Sequence, residues 1–381
     1  MVYMFSTEAL WAEESVLLGR LDKLVRFMNE AGVDLCWMSD PVVHRYLLDI
    51  EGLVKHPASL FITKEGKAVY VVGESDKPKK LPAFVDVKLY PTYNMNVWAD
   101  PLKNAAELIA DTVSSMEAGK IATDAYPTVW SDPLSRKFAG AEWGDARSCL
   151  NGMRLLKEPY EIARIRAGAA VNGVSYHTLR ECAQEGMSEY DLFAAMTDQA
   201  IRKTQQIVQF AGMSDLVTGE RTHSIGGPPT SRIVRNGDLM MADLFPTILG
   251  YHADNCRTIC IGGRPTELQQ KAHGVVMKAL EQVEKLLKPG ASAKQLFHTA
   301  NEILQSIGHG YSLVHHLGHG VGVSDKEGPY LVPGSEDMLQ EGMVVSVEPG
   351  IYIEHFGIRI ENVYVIREGG PENLTPFDTN L

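Results

Sequence analysis

Five residues of this chain have types and surroundings suited to holding metal ions. They are Asp243 in Met240-Met-Ala-Asp-Leu-Phe, Asp254 in Gly250-Tyr-His-Ala-Asp-Asn-Cys-Arg-Thr, His319 in His315-His-Leu-Gly-His-Gly-Val-Gly, Glu348 in Ser346-Val-Glu-Pro-Gly and Glu361 in Gly357-Ile-Arg-Ile-Glu-Asn. Acids gathered in one cleft repel each other and raise each other's pKa unless a cation intervenes. Two divalent cations would set four positive charges against the four negative ones. Oxygen donors with a single imidazole suit manganese, cobalt, iron or zinc better than a thiolate-seeking ion, and the sequence does not choose among the four. Each residue alone also has an ordinary reading: a turn cap for an Asp between strands, a surface Glu before Pro-Gly, a structural His in a glycine-rich loop.

The elements carrying these residues can be read from pattern. Residues 238–262 predict two strands joined near Pro246–Gly250, which would bring Asp243 and Asp254 together on neighbouring antiparallel strands. Alternation places further strands over Val344–Ile353 and Gly357–Val365. Two helices precede each strand group. The first pair spans 158–184 and 188–203, separated by Gly186, with a proline where a first turn tolerates one. The second spans Thr266–Leu287 and Ala293–Ile307, broken at Pro289-Gly290. The second half thus runs helix-helix-strand-strand twice, without sequence repetition. Ahead of it, residues 13–31 predict an amphipathic helix with Leu17, Leu21, Leu24, Val25 and Met28 on one face. Then come a strand over Val33–Met38, a hairpin about Lys64–Lys67, a helix over Pro101–Met116 and a strand at Lys120–Thr123. That mixture fits a small α/β domain. The expectation is an α+β chain with domains at residues 1–150 and 151–381, the boundary falling near Cys149–Lys157.

The 381 residues suffice for two cores, and 45% hydrophobic with 22% charged is usual for a soluble globular protein. A net charge of −12 argues against a nucleic-acid partner, whose phosphates it would repel. No run is long enough to span a bilayer, and Met1–Leu10 lacks the basic start and apolar run of a leader. Cys36, Cys149, Cys182, Cys256 and Cys260 are odd in number and follow no framework spacing, so they read as reduced thiols of a cytoplasmic protein. Cys256 and Cys260 lack the second pair that a zinc site would need.

The order of the five segments, with the eleven-residue step from Asp243 to Asp254, resembles the pita-bread metallohydrolases. That family includes methionine aminopeptidase, aminopeptidase P and prolidase, and the metal-free creatinase. The likeness covers roughly residues 150–370 and is looser before them. It implies a pita-bread C-terminal domain with a creatinase-like α/β N-terminal domain, and a pseudo-twofold that explains the duplicated element order. It further implies that Asp243 binds one metal through both oxygens, that Asp254 and Glu361 bridge two metals, and that His319 and Glu348 complete the second site. The implied activity is that of a dinuclear metal-dependent hydrolase similar to Xaa-Pro aminopeptidase or dipeptidase, attacking an amide with a metal-bridging hydroxide. Glu348 matches the family's general base. His315 matches a histidine that often contacts substrate, with packing as its other reading. Arg359 and Arg257 either orient the bridging carboxylates or are ordinary ion-pair residues. A homodimer is also implied; His44, Arg45 and Tyr46, in a stretch that reads as loop, are cross-subunit contacts or plain surface.

Two departures bear on substrate. Peptide-cleaving relatives usually carry a histidine seventeen residues before the first metal aspartate, where this chain has Gly226. They carry another seven residues after the metal histidine, where this chain has Lys326 in Lys326-Glu-Gly-Pro. His223 either reaches the site in place of the first or faces solvent. Asp325 and Lys326 either meet a charged substrate or form a solvated pair. The alternative reading is therefore a metal enzyme of the same fold acting on a small non-peptide by C–N hydrolysis or elimination. A non-catalytic binding protein is a third reading, disfavoured because all five ligand-type residues are kept.

Overall fold

The computed structural model describes residues 10–381 other than 53, 97, 125–131, 205–207, 211–213, 263, 309 and 354. The segment before residue 10, read above for a leader, lies outside the described residues. The described residues divide into two compact units, Trp11–Arg154 and Leu155–Leu381, the latter also taking in Leu10.

The first unit is a mixed six-stranded sheet with helices. Its elements are α1 (Glu14–Ala31), β1 (Leu35–Met38), α2 (Pro41–Leu48), β2 (Ser59–Thr63), β3 (Ala68–Gly73), β4 (Val85–Tyr90), α3 (Pro101–Ser114), β5 (Lys120–Thr123), α4 (Asp132–Lys137), β6 (Glu142–Asp145) and α5 (Arg147–Arg154). The strands lie in the order β4-β3-β2-β1-β5-β6. Leu35, Trp37, Phe61, Val69 and Val71 meet Ala105, Ile109 and Val113 of α3 in its core. The stretch around His44 corrects the sequence reading. It is helix α2, started by Asp40, whose side chain accepts from the Val42 N–H. His44 and Tyr46 are buried. His44 Nε2 is bonded to the Met38 carbonyl at 2.9 Å, and Tyr46 Oη donates to the Met153 carbonyl at 2.7 Å. Both are buried side chains of their own unit, and the reading missed the helix because the apolar spacing of eight residues is indistinct in sequence.

In the second unit, α6 (Pro159–Cys182) begins at a capping box between Glu158 and Glu161, and α7 (Glu189–Thr204) follows. They cover the sheet formed by β8 (Asp215–Thr218), β9 (Leu239–Leu244) and β12 (Asn255–Cys260), in the order β12-β9-β8. The strand period sorts the side chains. Leu216, Met240, Ala242, Leu244 and Ile259 pack against Tyr176, Leu179, Leu192 and Met196 of the helices. Asp215, Val217, Met241, Asp243, Cys256 and Thr258 occupy the alternate positions and so face the other way. The predicted turn between β9 and β12 is itself a small hairpin, β10 (Pro246–Ile248) and β11 (Tyr251–His252), whose sheet also takes in β7 (Gln209–Phe210). It turns at Leu249-Gly250, where φ is 48° and 79°, the positive pair a two-residue hairpin needs. Its neck closes through the Ala253 N–H and the Pro246 carbonyl at 2.9 Å.

The second half repeats the plan. Helices α8 (Glu267–Glu284) and α9 (Ala293–Gln305) are capped by Thr266 and Ser292. They lie over β13 (Gly318–Gly320), β14 (Glu327–Leu331), β15 (Val344–Val347), β18 (Asn362–Val365) and β19 (Glu372–Asn373). Ala272, Val276, Ala279, Leu296 and Ala300 of the helices pack with Val345, Val347 and Tyr364 of the sheet. Each of the two long predicted strands breaks once, so that β16 (Gly350–Ile353) and β17 (Phe356–Arg359) form a separate pair. The breaks fall at Glu348-Pro349 and Ile360-Glu361. The register on either side, Val347 opposite Asn362 and Gly350 opposite Arg359, sets Glu348 across from Glu361.

Candidate metal centre

Asp243 near the end of β9, Asp254 just before β12 and Glu361 between β17 and β18 are buried, with carboxylate oxygens within 4.8 Å of one another. His316, His319 and Glu348 form a second cluster of the same span. His319 joins the two: its Nε2 lies 3.3 Å from Asp254 Oδ2 and 3.6 Å from Glu348 Oε1. All five residues singled out in the sequence thus converge, drawn from both halves of the unit.

His316 was missed. Its Nε2 lies 3.0 Å from Glu348 Oε1, whereas the sequence reading favoured its neighbour. His315 Nδ1 sits 2.6 Å from the His316 carbonyl and so carries the proton, while Nε2 accepts from Tyr352 Oη at 3.0 Å. Both its nitrogens are engaged within the protein. The His315-His316 doublet was the available signal, but which ring turns toward Glu348 depends on tertiary packing.

The two clusters differ in charge balance. Burial, with the like charges of Asp254 and Glu348, holds Asp243 well above the usual carboxylate range despite the pull of Arg359. Burial, with the neighbouring acids, does the same to Glu361. Glu348 goes the other way: burial would raise it, but the His316 hydrogen bond and the charge of His319 hold it below its ordinary value. Burial opposes the charged form of His319, yet Asp254 and Glu348 push it up to about 9. Burial takes His315 down to about 4.

The residues fit divalent ions. Asp243 Oδ1 and both oxygens of Glu361 are buried without a hydrogen-bond partner, an arrangement native proteins avoid unless a bound group supplies the missing contact. His319 Nδ1 faces the Gly320 carbonyl at 3.0 Å, which leaves Nε2 for the carboxylate side.

The supporting arginines act differently from expectation. Arg359 holds Asp243 rather than Glu361: its Nη2 donates to Asp243 Oδ2 at 2.5 Å. Its Nη1 donates to the Ile225 carbonyl at 2.9 Å and to Tyr352 Oη at 3.0 Å. Arg257 fixes backbone, donating to the carbonyls of Cys256 and Glu361 and, through Nη2, to Asn362 Oδ1 and the Thr375 carbonyl at 2.9 Å each. His223, Asp325 and Lys326 are exposed. Glu327, beside Lys326, is 4% exposed and pairs at 2.7 Å with Lys157, itself 1% exposed, so it serves packing.

A buried acid-rich centre with two imidazoles, shared between two duplicated halves, is the centre of a metallohydrolase. Residues 163–368 match the model of metallopeptidase family M24, and residues 20–156 match that of the Creatinase/Prolidase N-terminal domain. Similar proteins include the Xaa-Pro dipeptidase of Pyrococcus furiosus, 28% identical over 368 residues, which span 95% of this chain and 99% of that one. The probable dipeptidase PepE of Mycobacterium bovis is 30% identical over 270 residues, 69% of each chain. Among solved structures, the prolidase from Pyrococcus horikoshii OT3 superposes with a TM-score of 0.82 at 24% identity, covering 94% of this chain and 99% of that one. The Xaa-Pro dipeptidase from Bacillus anthracis does so at 0.83 and 21%, covering 96% and 100%. At such identities these structures speak for the fold, which is the pita-bread fold with a creatinase-type N-terminal domain. The chain belongs to metallopeptidase family M24. It is a metal-dependent hydrolase, and the family implies a divalent metal cofactor. No described helix is long and apolar enough to cross a membrane.

Proposed function

We propose that the chain is a dinuclear metal-dependent dipeptidase acting on Xaa-Pro substrates, with catalysis assigned to residues 151–381 behind a creatinase-like domain at 1–150. The observation that carries this reading is the set of partnerless buried oxygens on Asp243 and Glu361 beside Asp254. The relatives named Xaa-Pro dipeptidase support the substrate class. Asp243, Asp254, His319, Glu348 and Glu361 would hold two ions of manganese, cobalt, iron or zinc. Bound there, such ions would polarise the scissile carbonyl and bring the pKa of a water toward neutrality. Glu348, kept ionised by His316, takes the proton of the attacking water and passes it to the leaving nitrogen. His315 is neutral and meets substrate only if its Nε2 exchanges the Tyr352 hydroxyl for it. We further propose a cytoplasmic homodimer without nucleic-acid or membrane partners.

One observation favours the second reading, a small non-peptide substrate undergoing C–N hydrolysis or elimination. Gly226 offers no side chain and Lys326 is exposed, where peptide-cleaving relatives place imidazoles. The test is metal analysis of the purified protein followed by Xaa-Pro dipeptide assays with added manganese or cobalt. Proline release that disappears in Asp254→Ala is the expected result. Full metal loading with no proline release would reject the first reading in favour of the second.

A further inference from the structure

The two positions lacking the relatives' histidines share a neighbour that the proposed function leaves without a task. Asp215 opens β8 directly opposite Asp243. Residues so paired carry their side chains on one face, with Cα atoms about 4.5–5.5 Å apart. The loop at 225–227 is bent to meet it. Ile225 sits at φ 69°, ψ −44°, and the Gly226 N–H bonds the Ser224 carbonyl at 2.7 Å. That is a tight γ-turn in a conformation a β-branched residue adopts only under constraint. The Ile225 carbonyl takes Arg359, and the Gly227 N–H then donates to the Asp215 carboxylate. A Cβ on residue 226 would lie 2.0 Å from Asp215 Oδ2. The carboxylate therefore fills the room that the stem of a histidine would need, and Gly226 is the condition for its presence.

Asp215 is half-buried, and among the described residues no cation lies at ion-pair distance from it. Arg359 and Lys326 act on it only through their fields. Arg359 is committed to Asp243, Ile225 and Tyr352. Lys326 is exposed. A carboxylate beside the centre, with one backbone N–H and no contact cation, is an acceptor for a positive group on what binds there. In a dipeptide the free ammonium lies two bonds from the scissile carbonyl carbon, so it falls within reach of a residue flanking Asp243.

We propose that Asp215, its carboxylate occupying the room that Gly226 leaves, is a specificity-determining residue that receives the substrate's free ammonium group. This rests on the peptidase reading and names the substrate feature that the site selects. The test compares Ala-Pro with propionyl-proline, identical but for the ammonium, on the manganese-loaded full chain. Both turnover and calorimetric binding are measured for wild type, Asp215→Asn and Asp215→Glu. A charge-assisted hydrogen bond corresponds to about tenfold to a hundredfold in affinity. The wild type should favour Ala-Pro by that factor, mainly through KM. Asp215→Asn should bring the ratio near unity with metal content retained, and Asp215→Glu should restore part of it. A ratio unmoved by Asp215→Asn, or equal handling of the two compounds by wild type, overturns the inference while the peptidase reading stands. Failure of wild type to bind or cleave either compound overturns both.

Discussion

The two clusters of the centre solve the same electrostatic problem differently. Around Glu348, the protein supplies its own partners: His316 Nε2 at 3.0 Å, His319 Nε2 at 3.6 Å and Arg359 Nε at 3.9 Å. Around Glu361, the described residues offer neither oxygen a hydrogen-bond partner. Glu348 is accordingly held ionised, while Glu361 and Asp243 are pushed toward protonation. The difference teaches where outside charge must enter. On the proposed function, the Asp243–Asp254–Glu361 cluster is where cations would bind, whereas the cluster with His316 and His319 would handle protons.

The sharpest way to break this contrast is Glu361→Gln. Turnover and metal content should fall by well over the hundredfold typical of losing a residue one bond removed from a metal. The chelated variant should melt higher than chelated wild type, because a buried acid without a partner has gone. A lower melting point in chelator would contradict the account of Glu361. Next in size, Glu348→Ala should reduce turnover by about 10²–10⁴-fold, the usual span for a general base, with the fold intact by circular dichroism. Unchanged kinetics would remove Glu348 from the proposed role. Arg359→Lys keeps the charge but loses the fork that holds Asp243, Ile225 and Tyr352. Metal affinity, measured by competition with a chelating dye, should weaken about 10–100-fold. An unaltered affinity would mean that Asp243 needs no orienting partner.

The smallest effect concerns pH. In chelated protein, Asp243 and Glu361 retain protons that the unfolded chain has released, so their contribution to stability is present at low pH and lost as pH rises through their raised values. His319, raised from 6.5 to about 9, contributes stability that is complete below 6.5 and lost through 9. Glu348, held low, contributes above its ordinary value and loses it only on acidification. Between pH 6.5 and 9 the chelated protein should lose several degrees of melting temperature, and metal saturation should flatten that slope. A chelated melting curve that rises across this window would reverse the assignment.

The convergence of the five residues and the duplicated plan were legible because each residue sits in a short segment with distinctive neighbours and the long helices have clear periods and caps. What the sequence concealed were the facts set by packing across distant strands. The choice between His315 and His316 depends on where Tyr352 lies, thirty-odd residues on. Arg359 was paired in expectation with nearby Glu361, but its side chain crosses to β9. Asp215 gave no signal of its own, since Ser-Asp-Leu-Val-Thr reads as an ordinary strand entry. The missing side chain at Gly226 reads in sequence as open room, whereas the Asp215 carboxylate lies where its Cβ would be. Helix α2 was overlooked because eight residues hold too little periodicity to separate from loop.

The neck joining Ala253 to Pro246 has a practical corollary. It sets the spacing of Asp243 and Asp254 at the base of the β10–β11 tongue, while the tip is held separately, Ile248 and Leu249 packing with Ala167, Val171 and Ala200 of α6 and α7. Extra residues spliced in at that tip should therefore loosen its seat on α6 and α7 before they shift the two aspartates below.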